Sequence, residues 1–268
     1  MSNKYNLIIE RGIADERIIS FSETSTVSKV DLRSKILFTY DQGNLASCTA
    51  NALCYCYIFI NPTCNPSRLF LYYNERKLGN DILDNTSSTL SQGINALEKF
   101  GICSEIMYPY IINKITNKPP SNEVYYEAEK NLAIQGSRVE QTSTSLKGCL
   151  NSGYPFVVGI LIYESFESKN ASKTGMIPMP NVVSEKILGG HAVTCFGYDD
   201  TRQVWIMKNS WGADWGDHGS FYLPYKYLLD TKLTGDIWKI SKFNVNSNKV
   251  LNTVAVKIMN ERFKYLRR

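Results

Sequence analysis

Two histidines in 268 residues leave little room for imidazole chemistry, so a mechanism that needs an imidazole must use His191 or His218. No Cys-x2-Cys pair and no closely spaced histidine pair occurs, which argues against a zinc centre. A glycine-rich phosphate loop is missing too, and no cofactor is expected. No apolar run approaches the roughly 20 residues that cross a bilayer. The longest, Leu53 to Ile60, is too short and carries Cys54 and Cys56. At the N-terminus a single lysine precedes only Leu7-Ile-Ile before charge returns, which is no secretory h-region, so an intracellular or particle-packaged location is expected. Internal repeats and low-complexity segments are absent.

What is present describes a folded chain, because 43% hydrophobic and 12% aromatic residues exclude disorder. Seven cysteines, an odd number, argue against a disulfide framework and for reduced thiols. The formal net charge of +5 is concentrated at the end: Lys242, Lys249, Lys257, Arg262, Lys264, Arg267 and Arg268 face the single Glu261. The body is therefore nearly neutral and is not expected to bind nucleic acid electrostatically. After Trp238 an apolar stripe from Val250 through Val254 and Ile258 to Phe263 suits a helix, expected to pack on the body or to meet an acidic partner.

The chain divides into a polar N-terminal extension (1–30), a mainly helical lobe (31–135), a mainly β lobe (136–240) and the basic tail (241–268). Helices are predicted over Thr49 to Ile60, stopped by Asn61-Pro62, and over Pro66 to Leu78, Leu90 to Phe100 and Ser143 to Asn151. Beyond Pro155, short β-branched or aromatic runs starting at Phe156, His191, Val204 and Ser220 read as antiparallel strands. Helices followed by strands indicate an α+β chain.

Cys48 opens the first helix, where the helix dipole and unpaired N–H groups favour a thiolate. His191 follows Gly189-Gly190 and opens an apolar strand, whereas His218 lies in a polar turn; only the first suits a general base facing a cleft. Asn209, 18 residues after His191, returns on the next strand and can accept from one imidazole nitrogen, with Trp211 covering that bond from water. The remaining cysteines read as small buried residues, with Cys64 and Cys103 the least constrained.

Four blocks in order carry a resemblance to the papain family of cysteine peptidases: Asp31-Leu-Arg, Tyr40-Asp-Gln-Gly-Asn-Leu-Ala-Ser-Cys48, Gly189-Gly-His-Ala-Val, and Lys208-Asn-Ser-Trp-Gly-Ala-Asp-Trp. The resemblance implies a papain-like two-lobe fold with a cleft between a helical lobe and a β-barrel-like lobe, and cathepsin-like endopeptidase action on polypeptide substrates. It implies Cys48 as nucleophile, His191 as base and acid, Asn209 as its orienter and Gln42 as oxyanion donor, with Trp211, Gly190 and Ser88 binding substrate. Transpeptidation by the same thioester, or an idle scaffold used for binding or packaging, are the other readings.

Two departures from the family pattern matter. Leu45 stands where the best-known members begin a disulfide, and Asn85 to Gly93 offers Ser87 and Ser88 in place of a glycine-rich substrate strand. The cathepsin B branch's histidine-bearing loop has no counterpart. The N-terminal extension is too short for the family's helical inhibitory propeptide, and its apolar Leu7-Ile-Ile and Ile18-Ile19 are expected to reach the cleft or to pack on a lobe.

Overall fold

The computed structural model describes residues 5–12, 15–22, 27–36, 38–111, 118–132 and 134–242. The elements run β1 (Ile18–Ile19), β2 (Lys29–Asp31), α1 (Cys48–Ile60), α2 (Arg68–Leu78), α3 (Leu90–Phe100), α4 (Asn122–Glu129), β3 (Ile134–Val139), α5 (Ser143–Asn151), β4 (Phe156–Tyr163), α6 (Lys169–Thr174), β5 (Ile187–Asp199), β6 (Val204–Lys208), β7 (Ser220–Pro224), α7 (Tyr225–Leu229) and β8 (Thr234–Lys242). Eight strands form one sheet in the order β1-β3-β8-β4-β5-β6-β7, with β2 added to β5. Every pair is antiparallel except β1 with β3.

α1 is the central helix. It is apolar on nearly every side and only its last residue, Ile60, escapes full burial, the pattern of a helix enclosed by other elements. One side meets α2 and α3, and the other lies on β5, where Tyr55 packs edge-on against Phe196 (6.2 Å) and Thr194 donates to the Ala52 carbonyl (2.9 Å). α3 has explicit end signals. Thr89 and Gln92 form a reciprocal capping box, and Gly101 closes the helix at φ 68°, where a side chain would run into the Ala128 carbonyl.

One buried cluster joins the helices to Val157, Ala192, Phe196 and Trp238 of the sheet; a second fills the sheet's other face, around Phe156, Trp205 and Phe221. The active-site candidates sit where the first cluster reaches the N-terminus of α1.

Several boundaries differ from the sequence expectation. β5 begins at Ile187, so His191 is an interior strand residue and does not open the strand. β8 runs on to Lys242 because residues 134 to 138 of β3 pair with it, so the segment just after Trp238 is strand before any tail begins. The C-terminal apolar stripe lies outside the described residues. All seven cysteines are free thiols, Cys64 and Cys103 included. Among the described residues no helix is long and apolar enough to cross a membrane.

Candidate active site

α1 starts at Cys48, which turns the cysteine side chain toward β5. The backbone N–H of Ala192 donates to the thiol, so the sulfur lies beside the residue that follows His191. β5 carries His191 and β6 leads directly into Asn209. His191 Nε2 and Asn209 Oδ1 are 2.9 Å apart. Oδ1 also accepts from the Ser210 backbone N–H (2.9 Å), which fixes the amide orientation. Since Oδ1 can only accept, Nε2 carries a hydrogen and Nδ1 is left to exchange a proton. The Trp211 indole stacks on the imidazole at 4.9 Å between centroids and 28° between planes. Phe166 and Trp215 back that indole at 5.7 and 4.9 Å. The bond between His191 and Asn209 is thereby kept from water and strengthened.

Gln42 lies on the loop before α1 and is fully buried. Its Oε1 accepts from Ser210 Oγ (2.6 Å), its Nε2 donates to the Leu45 carbonyl (3.0 Å), and its backbone N–H donates to the Ser210 carbonyl (2.9 Å). Ser210 therefore links the histidine block to the glutamine loop. With Leu45 in place of a disulfide cysteine, that loop is tied down non-covalently by Asn85. The Asn85 side chain accepts from Ala46 N–H and from the Tyr72 hydroxyl, and donates to the Asn44 carbonyl, all at 2.8 Å.

Ser88 is buried in the segment before α3, while the neighbouring Ser87 reaches back to the Ala46 carbonyl (3.4 Å). His218 is exposed in its turn, at φ 51°. The structure thus brings Cys48, His191, Asn209, Gln42, Trp211 and Gly190 together. Among the described residues no hydrogen bond joins the Ser88 side chain to them.

The N-terminal segment also lies at this site. The Leu7 N–H donates to the Gly190 carbonyl (3.1 Å), and Asn6 bridges to Gly190 in parallel. The Tyr5 ring stands edge-on to His191 (6.2 Å) and Trp211 (5.7 Å), and its hydroxyl donates to Glu167. Leu7 belongs to the same buried cluster as Cys48 and Ala192. Glycine is required beneath this strap: a Cβ on Gly189, at φ 143°, would lie 2.0 Å from the Tyr5 carbonyl oxygen, and one on Gly190 would lie 2.2 Å from that of Leu7.

Farther along, Arg138 pairs with Glu10 (3.3 Å), Asp15 (3.1 Å) and Asp236 (2.7 Å), and β1 joins β3. Arg17 and Arg138 hold the Asp15 carboxyl down at about 2, whereas burial raises that of Asp236 to about 6.

The thiol corrects one expectation. Cys48 and His191 are both fully buried, and burial pushes the Cys48 thiol up to about 12, outweighing the Ala192 N–H that favours the anion. In this covered arrangement desolvation outweighs the helix N-terminus and favours the thiol form of Cys48. Residue patterns alone also missed Tyr5, Asn85, Ser210, Arg68 and Tyr110. Ser210 and Asn85 sit inside blocks already singled out, but their roles depend on partners 168 and 39 residues away.

A profile of the papain family cysteine proteases matches residues 84–230. The chain is 39% identical over 228 residues to an uncharacterized peptidase C1-like protein of Acanthamoeba polyphaga mimivirus, covering 80% of this chain and 73% of that one. It is 29% identical over 115 residues to cathepsin B-like cysteine proteinase 4 of Caenorhabditis elegans, covering 42% of this chain and 32% of that protein. Among solved structures, xylellain, a cysteine protease from Xylella fastidiosa, matches with a TM-score of 0.80 and 36% identity over 90% of this chain and 97% of that one. A pro-cathepsin B from Trypanosoma congolense matches over 90% of this chain and 86% of that one with a TM-score of 0.66 at 15% identity, a likeness of fold alone.

Proposed function

Because the chain belongs to the papain family of cysteine proteases, we propose that it hydrolyses peptide bonds within polypeptide substrates through a thioester on Cys48. The observation that carries this reading is the His191–Asn209 bond of 2.9 Å beneath Trp211, next to the residue whose N–H meets the Cys48 sulfur.

His191 Nδ1 takes the thiol proton while Nε2–H stays on Asn209. The sulfur then adds to the scissile carbonyl carbon, and the oxygen becomes an oxyanion. The Cys48 backbone N–H and the second N–H of Gln42 Nε2 stabilise it. Collapse breaks the C–N bond, the imidazolium protonates the departing amine, and the thioester remains. Water attacks the thioester as His191 takes a proton from it, and the acid leaves with the thiol restored. With histidines only at 191 and 218, no imidazole is available to bind a substrate's terminal carboxylate, which favours cleavage within chains. A location inside a particle draws support from the mimivirus relative alone.

The N-terminal extension is read as a restraint on this site. It is supported by the Leu7–Gly190 hydrogen bond, the Tyr5 ring beside His191 and the burial of both catalytic side chains. The covered form is latent, and the active form requires the strap to leave.

The assignment is tested with purified Cys48→Ala on an internally quenched peptide, where turnover should be undetectable. Wild-type turnover by that variant would remove the reading altogether.

A further inference from the structure

Arg68, the first residue of α2, has no place in the chemistry above, yet its side chain is only 12% exposed. A buried guanidinium is costly unless its charge and donors are matched; Nε is buried without a hydrogen-bond partner, and the groups that meet the rest of the guanidinium lie on the active-site loop or next to it. The guanidinium carbon lies 4.2 Å from the centre of the Tyr40 ring and 3.9 Å from that of Tyr110, between two aromatic faces. Nη1 donates to the Asp41 carbonyl (3.2 Å) and to Asn51 Oδ1 (3.0 Å), and Nη2 is 3.7 Å from Glu105 Oε1.

Each partner leads to one side of the proposed oxyanion hole. Tyr40 and Asp41 immediately precede Gln42. Tyr110, whose N–H is held by Glu105 (2.6 Å), donates its hydroxyl to the Gln42 carbonyl (2.9 Å). With its hydrogen committed there, the Tyr110 oxygen accepts from Ser47 Oγ (2.6 Å), on the residue before Cys48. Asn51, its Oδ1 held by Arg68, donates to both Ser47 O (2.8 Å) and Ser47 Oγ (3.0 Å). One cation therefore connects the residues before Gln42 to the residue before Cys48. Gln42 and the Cys48 N–H are the two proposed oxyanion donors, six residues apart on the loop that enters α1, and no disulfide cross-links that loop to fix their separation.

We infer that Arg68 is a positioning residue for the oxyanion hole, setting the Gln42 loop against the start of α1 through Tyr40, Tyr110 and Asn51. The inference rests on the reading of Gln42 as an oxyanion donor. Lysine cannot replace Arg68, because an ammonium has neither the plane to lie between two rings nor the fork to reach Asp41, Asn51 and Glu105 together.

The test uses the full chain and three readouts: kcat and KM on a peptide substrate, the inhibition constant of a peptide aldehyde whose hemithioacetal oxygen occupies the oxyanion position, and the rate of Cys48 alkylation by iodoacetamide, which forms no oxyanion. Arg68→Lys should lower kcat and aldehyde affinity together by about 10- to 100-fold, the range for a donor displaced or lost. KM and alkylation should stay within about two-fold, since substrate contacts and the thiol are untouched. Tyr110→Phe, which keeps the ring beside Arg68 and removes the bond to Gln42, should show the same pattern at about 3- to 10-fold, and it decides the matter where Arg68→Lys does not fold.

Unchanged aldehyde affinity in both variants, or alkylation falling in parallel with kcat, would overturn the inference. Gln42→Ala separates it from the reading beneath it. If Gln42→Ala leaves aldehyde affinity intact, the oxyanion role itself fails. If Gln42→Ala weakens the aldehyde while Arg68→Lys and Tyr110→Phe do not, only the role of Arg68 fails.

Discussion

Removing the Leu7 side chain should open the site without touching the catalytic groups. Leu7 is 6% exposed, and it belongs to the buried cluster that also holds Cys48 and Ala192. Truncation of a buried leucine to alanine costs about 2 to 5 kcal/mol where the site cannot collapse. Only the covered form buries this side chain, so the loss falls almost wholly on that form and not on the released strap. The backbone bond from Leu7 N–H to the Gly190 carbonyl and the Arg138 ion pairs survive in Leu7→Ala, which argues for the low end, about 2 to 3 kcal/mol. At about 1.4 kcal/mol per factor of ten, the released fraction should rise about 30- to 150-fold.

The assay is the pseudo-first-order rate of Cys48 alkylation by iodoacetamide, followed by intact mass, with Tm measured alongside. Alkylation requires the thiolate. In the covered wild type burial pushes the Cys48 thiol up, so alkylation at pH 7 is expected to be slow. Leu7→Ala should therefore react faster at pH 7 and show its pH profile displaced to lower pH, because the freed sulfur regains solvent. Identical rates and identical pH profiles in Leu7→Ala and wild type, with the fold intact, would refute the strap as a restraint.

Three further outcomes are expected. Gln42→Ala should lower kcat by roughly 10- to 1000-fold with KM little changed, while Asn209→Ala should be milder as long as Trp211 still covers the imidazole; stopped-flow turnover of both variants checks this, and negligible effects in both would reject the assigned roles. His191→Ala should abolish turnover and alter the pH dependence of Cys48 alkylation, whereas His218→Ala, changed at an exposed turn, should do neither; a reversed pair of profiles would exchange the two assignments. Finally, Glu75, buried against Thr49 Oγ1 (2.6 Å), has its carboxyl raised by burial from 4.5 to about 8. The folded protein therefore holds that proton where the unfolded chain has lost it, and stability falls as pH rises from about 4.5 to about 8, at up to roughly 1.4 kcal/mol per pH unit. Urea midpoints across that window should decline less in Glu75→Gln than in wild type, and parallel curves would show that Glu75 does not titrate there.

The sequence by itself carried the signals behind the proposed chemistry. Two histidines, one of them in a Gly-Gly-His-Ala-Val strand, with an Asn-Ser-Trp turn 18 residues later and a cysteine at a helix start, leave few combinations that make an activated thiol. These signals are local, because strand, turn and helix-start preferences act over a few residues. The limits of α3 and α5 were legible for the same reason, and the structure shows the local signals at them: Thr89, Gln92 and Gly101 at one helix and the Thr142 cap at the other.

Other features have no local signal. β3 and β8 become strands because they pair with each other across about a hundred residues, and intrinsic strand preference is weaker than such tertiary pairing. Nothing local to Arg68 announces that Tyr40 and Tyr110 close on it. The apolar Leu7-Ile-Ile pointed to the cleft or to a lobe, but the place of Tyr5 beside His191 had no local signal, because it depends on Gly189 and Gly190, lacking side chains, admitting that backbone. The balance between thiol and thiolate at Cys48 likewise depends on the tertiary structure. The helix N-terminus visible in sequence favours the anion, but the burial imposed by the assembled site costs the charged form more than that dipole returns.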